Sequence, residues 1–213
     1  MTKSTLAPFF DRFPEDTLAY DVDARNDPLR EEYERARDLL YTSDQHVAMD
    51  ALEQLANSGS IMSILLVADA LRTGWVYGQD LPGAEAWYQV AVESGSARGL
   101  FGLGLTHLQM DRFNEAIQEL EAAIARHYPP AYNALAGMYF RGDGVTVDRE
   151  RARNLWRKGA SLGHLPAKQN LIQQLYWGRY GFWGRVEAVL KLLPFAIEIA
   201  TVRATNRDTD RLR

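Results

Sequence analysis

Chemistry is sought first where glycine, acid and base crowd together, in the stretch Tyr139–His164, YFRGDGVTVDRERARNLWRKGASLGH. Gly142-Asp143-Gly144 could open a phosphate-binding loop, but no strand-turn-helix pattern surrounds it and no GKS or GKT follows. It also lacks the alternating oxygen donors of a calcium loop. Arg149, Arg151, Arg153, Arg157 and Lys158 could grip a nucleic-acid backbone. At helical spacing, however, Ala152, Leu155 and Trp156 face inward and the basic residues form a solvated outer face, so no nucleic-acid partner is expected. The four histidines are His46, His107, His127 and His164; no pair has the spacing of a metal site. There is no cysteine, which excludes disulfides, thiolate ligands and a cysteine nucleophile. No GxSxG elbow occurs. Among the carboxylates, none is marked as a general acid. The expectation is a chain that is not an enzyme, with no cofactor, no metal and no catalytic residues.

The same stretch reads better as a joint between helices. Gly142 and Gly144 can adopt the left-handed conformations that end a helix and turn the chain. Val145 can plug the turn into the core. Asp148 can cap the following helix, and Glu150 suits that helix's positive end. Gly163 ends the second helix and Pro166 opens the next.

The elements around this joint recur. Ala48, Ala84, Ala116, Ala152 and Ala188 are spaced by 36, 32, 36 and 36 residues. Four residues after each comes a bulky group: Leu52, Tyr88, Leu120, Trp156 and Leu192. Eight after come Ala56, Val92, Ile124, Ala160 and Ala196. These spacings put all three on one helical face, where the small residue admits a neighbouring backbone and the large one fills the space beside it. A second helix precedes each of the last four, with Val67, Leu103, Leu135 and Leu171 in one register. Beside them run Ala68, Gly104, Ala136 and Ile172, and one turn on come Leu71, His107, Tyr139 and Leu175. The unit is helix A, joint, helix B. Each unit alone exposes an apolar side and must stack on the next.

The stretch Ala131–His164 closely resembles the Sel1-like repeat, a relative of the tetratricopeptide repeat. The match includes Leu135, Ala136, Tyr139, Gly142, Gly144, Val145, Asp148, Ala152, Trp156, Ala160 and Gly163. Residues 59–95 are a looser copy. Residues 95–127 have lost four residues from the joint, and MDRFNEAIQELEAAI looks like an ordinary tetratricopeptide unit. The resemblance spans roughly residues 44–178. It implies an all-α fold: a right-handed α-solenoid of about four to five helix-turn-helix repeats with capping helices, binding other proteins and catalysing nothing. It also implies that the A helices line a concave groove. Carrying the tetratricopeptide pattern across gives the groove candidates Asp69 and Arg72, then Arg98 and Phe101, then Asn133, Phe140 and Arg141, and last Gln169, Gln173, Tyr176 and Trp177. Aromatics would supply contact area to an extended peptide, and arginines and amides would supply hydrogen bonds.

Three regions are expected: an N-terminal extension over 1–27, extended or partly disordered; the solenoid over 28–178; and a capping helix with a solvated tail over 179–213. In the first, Phe9, Phe10 and Phe13 are expected to pack on the first helices. Glu31, Glu32, Glu34 and Asp38 mark a polar terminal cap. The last region is apolar almost all round, and Pro194 should kink it. A closing helix packed on the fourth unit is the first reading; a homodimer contact and a peripheral membrane contact are the others. Charge is graded along the chain: net −7 over 1–60, −4 over 61–140 and +7 over 141–213. The start has no apolar run of signal-peptide length, which points to the cytoplasm. The expected function is a scaffold or adaptor that holds a peptide or protein in its groove. The alternative is a membrane-peripheral accessory protein, docked through the aromatic C-terminal helix to an envelope or polysaccharide assembly.

Overall fold

The computed structural model describes residues 17–42, 45–76, 78–176 and 181–211. Among them lie eleven helices and no strand. They are α1 (Thr17–Asn26), α2 (Arg30–Thr42), α3 (Gln45–Asn57), α4 (Ile61–Thr73), α5 (Leu81–Glu93), α6 (Ala97–Gln109), α7 (Phe113–Ala125), α8 (Pro129–Arg141), α9 (Arg149–Ser161), α10 (Leu165–Tyr176) and α11 (Gly181–Arg211). From α2 onward each helix packs on the next in sequence, and the A helices α2, α4, α6, α8 and α10 also touch one another in turn. From α2 onward the molecule is therefore an α-solenoid, each unit stacked on the next.

The predicted register is the core. Ala48, Ala84, Ala116, Ala152 and Ala188 are all fully buried, as are Leu52, Tyr88, Leu120 and, nearly so, Trp156. On the A helices Val67, Leu103, Leu135 and Leu171 are buried beside Ala68, Ala136 and Ile172. The joint between α8 and α9 is built as expected: Gly142 is left-handed at φ 87°, and Asp148 accepts the Arg151 N–H through Oδ1 at 2.9 Å. The fifth repeat of the register fades, because Leu192 is 42% exposed where Trp156 is buried. α11 lies against α10 through Ala188 and Phe195, with no further described helix to cover Leu192.

The ends differ from the sequence reading. Thr17–Asn26 is a helix, where an extended segment is expected, and it packs on α4 and α6. Two acids one turn apart anchor it. Asp23 accepts the Ser96 hydroxyl at 2.9 Å, and Asp27 accepts the Ser60 hydroxyl at 2.8 Å and the Met62 N–H at 2.7 Å. Ser60 and Ser96 are the N-caps of α4 and α6, so α1 ties two successive A helices together at their N-termini. Asp27 also accepts the Leu29 N–H at 2.8 Å, and α2 begins two residues after Pro28. At the other end the expected solvated tail continues as helix, through Pro194 and on to Arg211. The Phe9, Phe10 and Phe13 expectation lies outside the described residues.

Candidate functional site

The A-helix row carries every described candidate. In the first two units it builds a charged cluster. Asp69 and Arg72 sit one turn apart on α4, Tyr88 comes from α5 and Arg98 from α6. Arg98 donates to Asp69 Oδ2 at 2.9 Å, and Arg72 donates to Asp69 Oδ1 and to Tyr88 Oη, both at 3.3 Å. Tyr88 in turn donates to Asp69 Oδ1. Burial alone would raise the Asp69 carboxyl, but the two guanidiniums outweigh it and hold the group below the usual carboxylate range. Burial and the adjacent carboxylate push the Tyr88 phenol well above its ordinary value, so it stays a donor. Gly102 makes the cluster possible: a Cβ there would stand 2.1 Å from the Tyr88 ring.

In the third and fourth units the candidates divide between packing and exposure. Asn133 on α8 accepts the Trp156 indole N–H at 3.0 Å and an Asn170 amide N–H at 2.8 Å, joining α8, α9 and α10. Phe101 leans on Tyr128 with ring centroids 5.2 Å apart, and Phe140 on Trp156 at 5.5 Å. Both phenylalanines remain half-buried. Arg141 turns back over Gly137, where a Cβ would lie 3.0 Å from its guanidinium. It also donates through Nε to Asp143 at 2.8 Å while its side chain stays 55% exposed. Gln169 and Gln173 are exposed on α10. The Tyr176 side chain and Trp177 lie outside the described residues.

The structure thus brings Asp69, Arg72 and Arg98 into one cluster, ties Asn133 into the stack, pairs Arg141 with Asp143 at the surface, and leaves Gln169 and Gln173 exposed. Reading the sequence missed Tyr88 as the hub of the cluster and Asp23 and Asp27 as anchors. A signal existed for the anchors: the 4-residue spacing of the acids, against the 36-residue spacing of Ser60 and Ser96. A second network links α5 to the turn before α7, where Glu85 meets His107 Nε2 at 3.2 Å and Arg112 Nη1 at 2.8 Å. His107 fills a buried A-helix core position. His164, in the turn before α10, accepts the Ala167 N–H at 3.3 Å through Nδ1, and burial lowers its imidazole to about 4. His46 and His127 are exposed. Among the described residues no group of acids and histidines could hold a metal ion.

The helix-joint-helix at α8–α9 matches a family model, the Sel1 repeat, over residues 129–164. Solved Sel1 repeat structures share the solenoid fold over most of the chain. A Sel1 repeat protein from Oxalobacter formigenes superposes with a TM-score of 0.63 at 18% identity, covering 87% of this chain and 76% of the other. One from Klebsiella pneumoniae gives 0.54 at 22%, covering 90% and 96%. The protective antigen c5321 of uropathogenic Escherichia coli gives 0.57 at 22%, covering 86% of this chain and 37% of the antigen. At these identities the likeness is one of fold. Among curated proteins none matches the sequence. Sel1 repeats generally mediate contacts between proteins. The Sel1 unit here contributes Asn133, Phe140 and Arg141 to the A-helix row.

Proposed function

We propose that the chain is a non-enzymatic scaffold that holds a peptide or protein segment along the A helices α6, α8 and α10. The supporting observation is the guanidinium of Arg141, laid over Gly137, paired with Asp143 and still more than half exposed. A carboxylate on an extended segment would compete with Asp143 for the exposed fork of Arg141 and be hydrogen-bonded there. Phe101 and Phe140 supply apolar area beside it, and Gln169 and Gln173 supply amide donors and acceptors. The Asp69–Arg72–Arg98–Tyr88 cluster forms the rigid end of the same row; its internal pairing fits it to shape the row rather than to bind by itself. The cytoplasm as its place rests on composition: nothing in the chain calls for an oxidising compartment. No described helix is long and apolar enough to cross a membrane.

Selection of a displayed peptide library on the purified chain tests this reading. The wild type should enrich a consensus peptide, and Arg141→Ala with Gln173→Ala should lose that enrichment while circular dichroism stays unchanged. Equal enrichment by the double variant, or none by the wild type, would move the site off this row.

A further inference from the structure

The outer faces of the B helices carry polar or small residues, nearly all exposed, in every unit but the last. Two residues before the repeat alanine stand His46, Pro82, Asn114 and Glu150; two after it, Asp50, Ala86, Gln118 and Asn154; five after it, Glu53, Gln89, Glu121 and Arg157; nine after it, Asn57, Glu93, Ala125 and Ser161. In α11 the same four positions are Val186, Leu190, Leu193 and Ile197. Leu190 is 71% exposed, Leu193 69% and Ile197 59%, although Ala188, two residues before Leu190, is fully buried against the solenoid. All four positions lie across the helix from Ala188.

The spacing selects the kind of partner. Trp183, Val186, Leu190, Leu193, Ile197 and Ala200 alternate by 3 and 4 residues over 17 residues, the seam of a helix that packs lengthwise on another helix. A lipid surface needs no such register. It also favours basic groups at the edge of the face; here Lys191 is paired with Glu187 at 2.7 Å and Glu187 with Arg153 at 3.4 Å, and Arg185 is exposed. The exposed apolar side chains of α11 offer several hundred Å², on the order of the ~800 Å² each partner gives to a standard stable interface.

We propose that the outer face of α11 is a dimer interface that docks on α11 of a second copy, antiparallel. Crossing midway between Leu190 and Leu193 sets Leu190 on Leu193 of the second copy, Val186 on Ile197 and Trp183 on Ala200. Each bulky residue then meets a smaller or matching one, whereas a parallel pair stacks indole on indole at one end and alanine on alanine at the other. The interface lies on the B-helix side and is independent of the A-helix row, so it stands or falls apart from the peptide-binding reading.

Light scattering coupled to size exclusion tests it on the full chain. Wild type should elute with twice the 24.1 kDa chain mass at tens of micromolar, and Leu190→Glu with Leu193→Glu should elute at the single-chain mass with unchanged helicity. A wild type that stays monomeric overturns the proposal, as does a double variant that still dimerises. Anionic vesicles that sediment a monomeric wild type but not the variant would assign the face to lipid instead. The chain has no cysteine, so register can be read by cross-linking. Trp183→Cys with Ala200→Cys should oxidise to a covalent dimer, while Ala200→Cys alone should not, because the two copies' residues 200 would lie about 25 Å apart. Self-cross-linking of Ala200→Cys would overturn the antiparallel arrangement.

Discussion

Helices α9 and α11 occupy the same place in successive units and share an inner face but not an outer one. Ala152 and Ala188 are both fully buried against their A helices. Outward, α9 shows Glu150, Asn154, Arg157 and Ser161, all exposed, while α11 shows Val186, Leu190, Leu193 and Ile197. The inner register answers to stacking: without it neither helix could close on its neighbour. The outer register is free of that demand, so its composition reports on what lies beyond the solenoid. Four polar residues ask for water, and four aliphatic ones ask for a partner.

The largest expected effect separates the two inner faces. Trp156→Ala removes a buried ring and its hydrogen bond to Asn133, and should cost about 3–5 kcal/mol. The equivalent Leu192→Ala in α11 should cost under about 1 kcal/mol, because that side chain is already 42% exposed. Denaturant titration followed by circular dichroism measures both; equal costs would mean that α11 is packed as tightly as α9.

The turn after α9 adds a pH-dependent term. Burial lowers the folded His164 to about 4 against an ordinary 6.5, so the unfolded chain binds more protons between these values. Stability should therefore be complete above pH 6.5 and fall as pH drops towards 4, by up to about 3 kcal/mol. Ser60 and Ser96 hold the same N-cap position in earlier units. His164→Ser should flatten this part of the pH profile; an unchanged slope would assign it to other groups.

Asp27→Ala should cost about 1–3 kcal/mol, since it leaves the Ser60 hydroxyl and the Met62 N–H without their acceptor. Loss of protection at α4 in hydrogen exchange would locate the damage, and a neutral substitution would show that α1 is not an anchor. The smallest effect on folding is expected from a graft: Asn154→Leu with Arg157→Leu makes the α9 outer face resemble that of α11. It should shift stability by less than about 0.5 kcal/mol and add concentration-dependent self-association. If it does not, apolar content alone does not make an outer face adhesive.

The stack was legible because its period is long, its small-large pairs recur and its joints carry Gly142, Gly144 and Asp148 at positions that only a helix-turn-helix explains. Helix α1 was not, since the partners of Asp23 and Asp27, Ser96 and Ser60, lie 73 and 33 residues away and are brought beneath them only by the solenoid. The A-helix row was legible as a list of residues and not as a surface. Arg72 and Arg98 both pair with Asp69 beside Tyr88, a residue whose repeat position announces only core. Arg141 could be named from the pattern, but its fold over Gly137 depends on the missing side chain two units along the row from Asp69. The fate of Leu192 followed from what does not cover it, which no local spacing contains.

Amide hydrogen exchange of the full chain at two widely separated protein concentrations tests most directly the difference between the two outer faces. Slower exchange over residues 186–200 at the higher concentration, with residues 149–161 unchanged, is the predicted result. Exchange in α11 that is independent of concentration, or that slows equally in α9, would contradict it.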